Sequence, residues 1–414
     1  MADRRVARVS RVTTPHADAH PSAAWGTAPA AAPGPVGAGA VPTSWPGGAR
    51  RTSAWTDVVT VLGLTAVGLA ALAGLGVVLL EVGMGPGTVG LLLALVPLAL
   101  VLAGVRWLDT WEPEPRGALL FGLLWGAGVA VLLAVTVNDL TMWFVAHATG
   151  DPDAAYRTTA LVSAPVVEEI GKGLGVLVIY LARRRYFDGV VDGIVYAGVV
   201  AAGFAFTENV LYFGQAGELL PQTFAMRGLA TPFAHLLFTA CTGAAIGWAA
   251  RSRSRGAVLW ATPLGLVAAM ALHSAWNATA LLAGPAFLAL YLVVQVPVFV
   301  GVVALAFGLR RRERDIIAGR LDEYGRAGWF APHEVQMLTS IRLRTQARRW
   351  AARTGGAAAG AAMHAFQRDA TTLALRRQIA LTGRADLRTY ATTERDLLGS
   401  VVAHRHRVLT TVGG

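Results

Sequence analysis

The chain has little with which to build a soluble or cross-linked fold. Its one cysteine, Cys241, excludes an intrachain disulfide framework and a thiolate-based structural zinc site. Charged residues make up only 15% of the sequence, where soluble domains carry about a quarter. Lysine is almost missing: Lys172 is the only one among 36 basic residues. No stretch alternates apolar and polar residues over about ten positions, which excludes an outer-membrane barrel. What is present is 54% hydrophobic residues, gathered between 57 and 309 into runs of about 20, each long enough to cross a hydrocarbon core of roughly 30 Å. A soluble globular enzyme is thereby excluded, and an all-α, polytopic membrane bundle of about eight transmembrane helices is expected.

The net charge of +11 raises the question of nucleic acid, and its distribution answers it. Residues 1–56 carry +4, residues 57–309 carry −3 and residues 310–414 carry +10. The positive charge lies outside the apolar block, as in cytoplasmic tails, so no nucleic-acid partner is expected. The chain divides into three parts. Residues 1–56 hold Arg4, Arg5, Arg8 and Arg11, then an Ala/Pro/Gly-rich run too poor in large apolar residues to offset its ordering entropy. That tail is expected to be disordered and cytoplasmic, and not a signal peptide, because roughly 45 residues separate its arginines from the first apolar run. Residues 57–309 form the membrane-embedded domain. Residues 310–414 open with Arg310, Arg311 and Arg312 and continue as basic amphipathic helices broken around Gly355–Gly360. The basic run also attracts anionic lipid headgroups.

The spans are placed near 58–80, 86–105, 118–138, 160–182, 189–213, 227–250, 257–280 and 284–309, with the stretch 139–158 at most a short interfacial helix. With even-numbered connections in the cytoplasm, one side of the short loops holds Arg106, Arg116, Arg183, Arg184, Arg185, Arg251, Arg253 and Arg255, and the other Arg157 and the borderline Arg227. This bias puts both termini in the cytoplasm. Asp151, Asp153 and Glu218 then face outward, as in a multi-pass protein of a bacterial inner membrane.

Ionisable residues inside spans cost at least about 2.5 kcal/mol each and mark function. The fourth span contains Glu168, Glu169 and Lys172, spaced so that Lys172 can pair with either carboxylate. The fifth carries Phe204, Glu208 and Asn209, the sixth His235, and the seventh His273 and Asn277. Asp188 and Asp192, at the cytoplasmic end of the fifth, fit a solvated or salt-bridged boundary as well as they fit chemistry. At 1.5 Å per residue, Glu168 lies about 12 Å from the outer helix end, Glu208 about 8 Å, His235 about 12 Å and His273 about 10 Å. Four spans thus bring their ionisable groups to the outer half of the membrane, which predicts one buried polar chamber. There a glutamate can take a proton from attacking water and pass it to a leaving amine, while histidines polarise the carbonyl. Glu208, His235 and His273 supply an oxygen and two nitrogens for a divalent metal such as zinc. Asn277, one turn from His273, is placed to hold it in one tautomer or to bind beside it. Proton-coupled transport uses the same residue types and is the first alternative, and a non-catalytic membrane scaffold the second. In the basic tail, His333-Glu334 begins an H-E-x-x-H pattern that Met337 interrupts, and His404 and His406 read as exposed tail residues.

E-E-x-x-K at Glu168–Lys172, F-x-x-x-E at Phe204–Glu208, a sixth-span histidine at His235 and H-x-x-x-N at His273–Asn277 together resemble the PrsW family of intramembrane proteases. That family is related to the membrane-embedded CAAX prenyl-protein proteases and bacteriocin-processing enzymes. The likeness covers roughly residues 90–305, with Asp192-Gly193 and Tyr196 also family-like. It implies Glu168 as general base, Glu169 and Glu208 as its partners, and His273 with Asn277 as the groups that stabilise an oxyanion. The related proteases carry E-E-x-x-x-R and F-x-x-x-H, so Lys172 comes one residue early and Glu208 stands in place of a histidine. The resemblance further implies a single-span membrane protein as substrate, cut near its extracytoplasmic face, with an anti-sigma factor as the best-known example. A metal-free mechanism is the one favoured here, because Asn277 suits an oxyanion better than a metal.

Overall fold

A computed structural model describes residues 54–184, 187, 189–252, 254, 256–282, 284–382 and 387–413. The expected disorder of the tail falls, for residues 1–53, outside the described residues, as do Arg185, Asp188, Arg253 and Arg255. Every described element is helical. Two compact units are present: one includes Gly48–Ile316, and the other Ile317–Gln378 with Arg388–Gly414.

In the membrane unit, α1 is Ala54–Val82 and α2 is Met84–Leu108. The third helix, α3, runs over Arg116–Thr149 and contains a π-helical turn at Trp125–Ala130. The stretch after residue 138 therefore extends α3 to Thr149 and is not a separate interfacial helix. Nothing in Val131–Thr149 breaks the chain until Gly150, whose φ of 69° closes the helix. Asp151 then restarts it, its Oδ1 accepting from the amides of Asp153 and Ala154 at 2.9 and 3.1 Å with Pro152 in the first turn. Pro152–Thr158 and a π turn at Thr159–Ser163 lead into α4, Ala164–Ala182. The remaining membrane helices are α5 (Val190–Gln215), α6 (Ala234–Ala250), α7 (Ala257–Leu282) and α8 (Val296–Arg326).

Seven helices among the described residues are long and apolar enough to cross a membrane. The fourth expected span is not counted with them, since Glu168, Glu169 and Lys172 put three charges into its length. The expected sixth span is discontinuous. A short helix at Leu220–Thr223 and a π segment at Phe224–Ala230 stop before Pro232, which can donate no amide hydrogen bond, and α6 proper begins at Ala234.

Helix α5 is the most buried of the spans. Its small residues let neighbouring backbones close in: a Cβ on Gly193 would stand 2.0 Å from the Gly243 carbonyl oxygen of α6, and one on Gly203 2.0 Å from that of Leu123 on α3. Large apolar side chains such as Leu80, Leu259 and Val293 point outward, as a lipid solvent requires. At the opposite end of α5 from Glu208, Tyr196 donates to Glu114 and the Glu114 amide to Asp109. Asp192, expected at a solvated or paired boundary, caps this helix start by accepting from the Gly189 amide at 3.1 Å.

The C-terminal unit comprises the end of α8, α9 (Pro332–Leu338), α10 (Ile341–Leu381) and α11 (Leu387–Val412) around Leu321, Leu338, Met363, Phe366 and Leu373. The expected break falls at Gly355–Gly356, where α10 kinks. Glu334 is structural: it accepts from the Ala331 amide and pairs with Arg405. His406 is exposed as expected, but His404 is half-buried, with Nε2 3.4 Å from Asp369.

Candidate active site

Four helices deliver the ionisable residues to one place. The E-E-x-x-K spacing puts Glu168, Glu169 and Lys172 on adjoining turns of α4, all buried. Lys172 Nζ lies 2.6 Å from Glu169 Oε1 and 3.6 Å from Glu168 Oε2. The Phe204 ring, its centroid 4.3 Å from the ammonium, adds a cation–π contact from α5. The aromatic of the F-x-x-x-E pattern therefore covers the lysine of the other motif.

Glu169 is fully engaged. Its Oε1 meets Lys172 and His273 Nδ1, the latter at 3.1 Å, and its Oε2 accepts from Thr239 Oγ1 at 3.0 Å. A carboxylate only accepts, so the His273 ring donates Nδ1–H and keeps the Nε2 lone pair free. That nitrogen lies 3.9 Å from Glu168 Oε2. The Phe238 ring stacks on His273 at 4.7 Å and fixes its plane.

His235 stands in the first turn of α6, just past the break at Pro232. Its Nε2 donates to Glu208 Oε2 at 2.8 Å, and its Nδ1 lies 3.2 Å from Lys172 Nζ. Each histidine thus gives one N–H to a carboxylate; the other nitrogen of His273 faces Glu168, and that of His235 accepts from the Lys172 ammonium. This is the arrangement by which metal-ligating imidazoles are oriented.

Glu168, His235 and His273 each offer one ligand atom, all within 4.8 Å of one another. They are the one such cluster among the described residues that could hold a metal ion. The metal candidates expected from the sequence included Glu208. In the structure the carboxylate grouped with the two histidines is Glu168, while Glu208 Oε2 meets Arg227 and His235. The residues fit a divalent ion on two grounds. Glu168 Oε2 is buried without a hydrogen-bond partner, and one carboxylate with two imidazoles is a donor set of catalytic zinc sites.

A cavity of about 430 Å³ opens onto the cluster, lined by Glu168, Phe204, His235, His273, Trp276 and the exposed Asp139. Asn277 also lines it, but not as expected. Its Nδ2 donates to the Ala160 carbonyl at 2.9 Å, and its neighbour Ser274 bonds the Leu161 carbonyl at 2.8 Å. The pair ties α7 to the π turn ahead of α4, and His273 takes its orientation from Glu169 instead.

Sequence reasoning missed two contributors. Thr239 holds the second oxygen of Glu169. Arg227, assigned by its position to the outer loops, lies inside the site against Glu208 and Asn209. The available signal for it was an arginine eight residues ahead of His235 in an otherwise apolar run.

Residues 114–302 match the family model described as PrsW family intramembrane metalloprotease. Two curated proteins, both named Protease PrsW, are similar to the chain. The one from Clostridioides difficile (strain 630) is 31% identical over 153 residues, covering 37% of this chain and 62% of that protein. The one from Geobacillus kaustophilus (strain HTA426) is 32% identical over 155 residues, covering 37% of this chain and 64% of that protein. The chain thus spans less than two thirds of the length of either relative. No solved structure matches it.

Proposed function

The chain belongs to the PrsW family through residues 114–302, and from that premise we propose that it is an intramembrane endopeptidase, a hydrolase that cuts a membrane-anchored protein near its extracytoplasmic face. The observation that carries this reading is Glu168, a buried carboxylate with an unbonded oxygen beside two oriented imidazoles at the head of a cavity. A single-span protein, such as an anti-sigma factor, is the substrate class.

Glu168, His235 and His273 would hold the metal. A divalent ion there supplies Lewis acidity, polarising the scissile carbonyl and lowering the pKa of attacking water. The chain's own groups do the rest. As the water oxygen adds to the carbonyl carbon, Glu168 Oε1 takes the proton. The same carboxyl then delivers it to the amide nitrogen as the C–N bond breaks. Glu169 holds His273 and Lys172 in place and does not reach the reacting atoms. A metal-free mechanism would have Glu168 activate water while His273 and Asn277 hold the oxyanion; one N–H of the Asn277 amide donates to the Ala160 carbonyl, which leaves the other for that role.

The protease reading is favoured over a transporter by α5 itself. Between Tyr196 and the site its residues Ala197 to Phe204 are all apolar or glycine, and buried, where a proton relay would need polar side chains. The orientation proposed has both termini in the cytoplasm of a bacterial inner membrane. Removing Arg227 from the outer loops strengthens it, as Arg157 is then alone opposite the basic connections. Arg310, stacked 4.4 Å from the Trp107 ring, and the exposed Arg311 and Arg312 would meet anionic headgroups on that side.

The test is cleavage of a single-span substrate by the full chain in proteoliposomes. Glu168→Gln and His273→Ala are expected to lower turnover by about 10² or more, and His404→Gln to leave it intact. Near-normal turnover in both site variants at equal folded protein would overturn the protease reading. Thiol labelling at Asp151→Cys and Glu218→Cys from outside tests the orientation, and labelling of both only from the cytoplasmic side would reverse it.

A further inference from the structure

Arg227 is a half-buried guanidinium lining the cavity, and its hydrogen-bond and ring partners all lie on one face of α5. Its NH2 group meets Glu208 Oε2, its Nε donates to Asn209 Oδ1 at 3.0 Å, and its Cζ sits 3.8 Å from the Tyr212 ring centroid. Two acceptors along the edge and an aromatic on the face fix a planar group in all directions, which a flexible ammonium would not achieve. The segment that carries it is itself secured: Thr231 Oγ1 donates to the Met226 carbonyl at 3.0 Å, and Tyr291 to that of Ala230 at 3.1 Å.

The Glu208 oxygen that Arg227 binds is the one that accepts from His235 Nε2 at 2.8 Å. Glu208 therefore joins a rigid cation on one side to a metal-facing imidazole on the other. Without Arg227 the carboxylate could rotate about its own side-chain torsions and take the ring with it. With Arg227 in place, the ring has one role for each nitrogen: Nε2 donates to Glu208 and Nδ1 accepts from Lys172 Nζ at 3.2 Å, in a residue with a ligand atom within 4.8 Å of those of Glu168 and His273.

We propose that Arg227 is a positioning residue for the metal centre: acting through Glu208, it locks the His235 imidazole beside Glu168 and His273, with Nδ1, which Lys172 Nζ meets at 3.2 Å, as the nitrogen that Glu208 leaves for an ion. The assignment rests on the proposed metal site and adds to it a residue from outside the recognised motifs. It also accounts for Glu208. The carboxylate is not a ligand but the connector between the discontinuous part of the sixth helix and the ligand at its restart.

Zinc affinity of the purified full chain in detergent, measured by competition with a chromophoric chelator, tests this without recourse to catalysis. His235→Ala should weaken binding by about 100-fold or more, and Arg227→Gln by about 10- to 100-fold, the range for groups that orient a ligand. Arg227→Lys, which keeps the charge but loses the planar fork, should fall between Arg227→Gln and the unaltered chain. In the His235→Ala background, Arg227→Gln should change affinity less than about threefold, because an absent ring cannot be misoriented. Glu208→Gln should behave like Arg227→Gln, alone and in that background, and it serves if the arginine variant does not fold.

A full-sized additional loss in the His235→Ala background would make Arg227 a general structural residue and overturn the assignment. So would unchanged affinity in Arg227→Gln and Glu208→Gln while His235→Ala binds weakly, and that pattern would leave the metal reading standing. An unaltered chain that takes up no zinc would overturn both.

Discussion

Replacing Lys172 by methionine removes the one cation between two buried carboxylates while keeping the volume of its stem. Lys172 and Glu169 are fully buried and Glu168 nearly so, with contacts of 2.6 and 3.6 Å. At an effective dielectric of about 20 these distances correspond to roughly 6 and roughly 5 kcal/mol of attraction. Desolvation of each ion takes back several kcal/mol, and loss of one partner from such a buried pair costs about 3–5 kcal/mol because the other charge is left uncompensated. The unfolding equilibrium should therefore shift by roughly 10²- to 4 × 10³-fold. Denaturant titration of the chain in mixed micelles, followed by far-UV circular dichroism, reads this directly. Lys172→Met combined with Glu169→Gln should recover at least half of the loss, since the more tightly paired charge goes too, and the His273 and Thr239 contacts can persist. A Lys172→Met chain within about 1 kcal/mol of the unaltered one would refute the reasoning, as the cation would then not be compensating buried charge.

Packing and the Glu114 end of the bundle each give a further expected outcome. Gly243→Val should collapse folded yield, because a Cβ there meets the Gly193 carbonyl oxygen at 2.2 Å, whereas Gly76→Ala, with nothing within 4 Å, should be neutral; equal yields by size-exclusion profile would refute the close approach of α5 and α6. Burial, aided by the neighbouring Asp192 charge, raises Glu114 from the ordinary 4.5 to about 8. Its raised value means stability is greatest below about pH 4.5 and is lost as pH rises toward 8. Glu114→Gln should therefore raise the melting temperature at pH 8 and change it little at pH 5; the same shift at both would show that ionisation is not involved.

The spans were legible because a bilayer demands long apolar runs, and the chamber because Glu168, Glu208, His235 and His273 are too costly in lipid to be there without use. Depth along each helix placed them at one level without any knowledge of packing. Rotation about each helix was not legible. Glu168 and Glu169 differ by one residue, yet one faces the cavity and the other is enclosed by Lys172, His273 and Thr239. Glu208 reads as a ligand by type, and only the cross-helix contacts show its Oε2 engaged by Arg227 and His235. The π turns at Thr159–Ser163 and Phe224–Ala230 compound this, since each shifts the helical register between the residues on its N-terminal side and those on its C-terminal side. The end of α3 differs from expectation for another reason: Asn138, Asp139 and His147 lower local hydropathy, but their cost to a helix is below about 1 kcal/mol each, too little to stop one.

If the proposed cleavage takes place here, the reach of α3 sets a condition on its substrates. Its last cavity-lining residue is Met142, and the helix continues to Thr149, a further seven residues or about 10 Å. On the proposed orientation this forms a parapet on the outer rim, with the exposed Trp143 and Phe144 at its foot. A folded domain too wide to pass the rim has to hang from the scissile bond on a tether. At roughly 3.3–3.6 Å per extended residue, clearing 10 Å takes at least about three residues of unstructured chain. Selection among membrane proteins would then depend on the slack outside the bilayer as much as on the residues at the bond, and a domain that folded right down to the membrane surface would be protected by its own lack of leash.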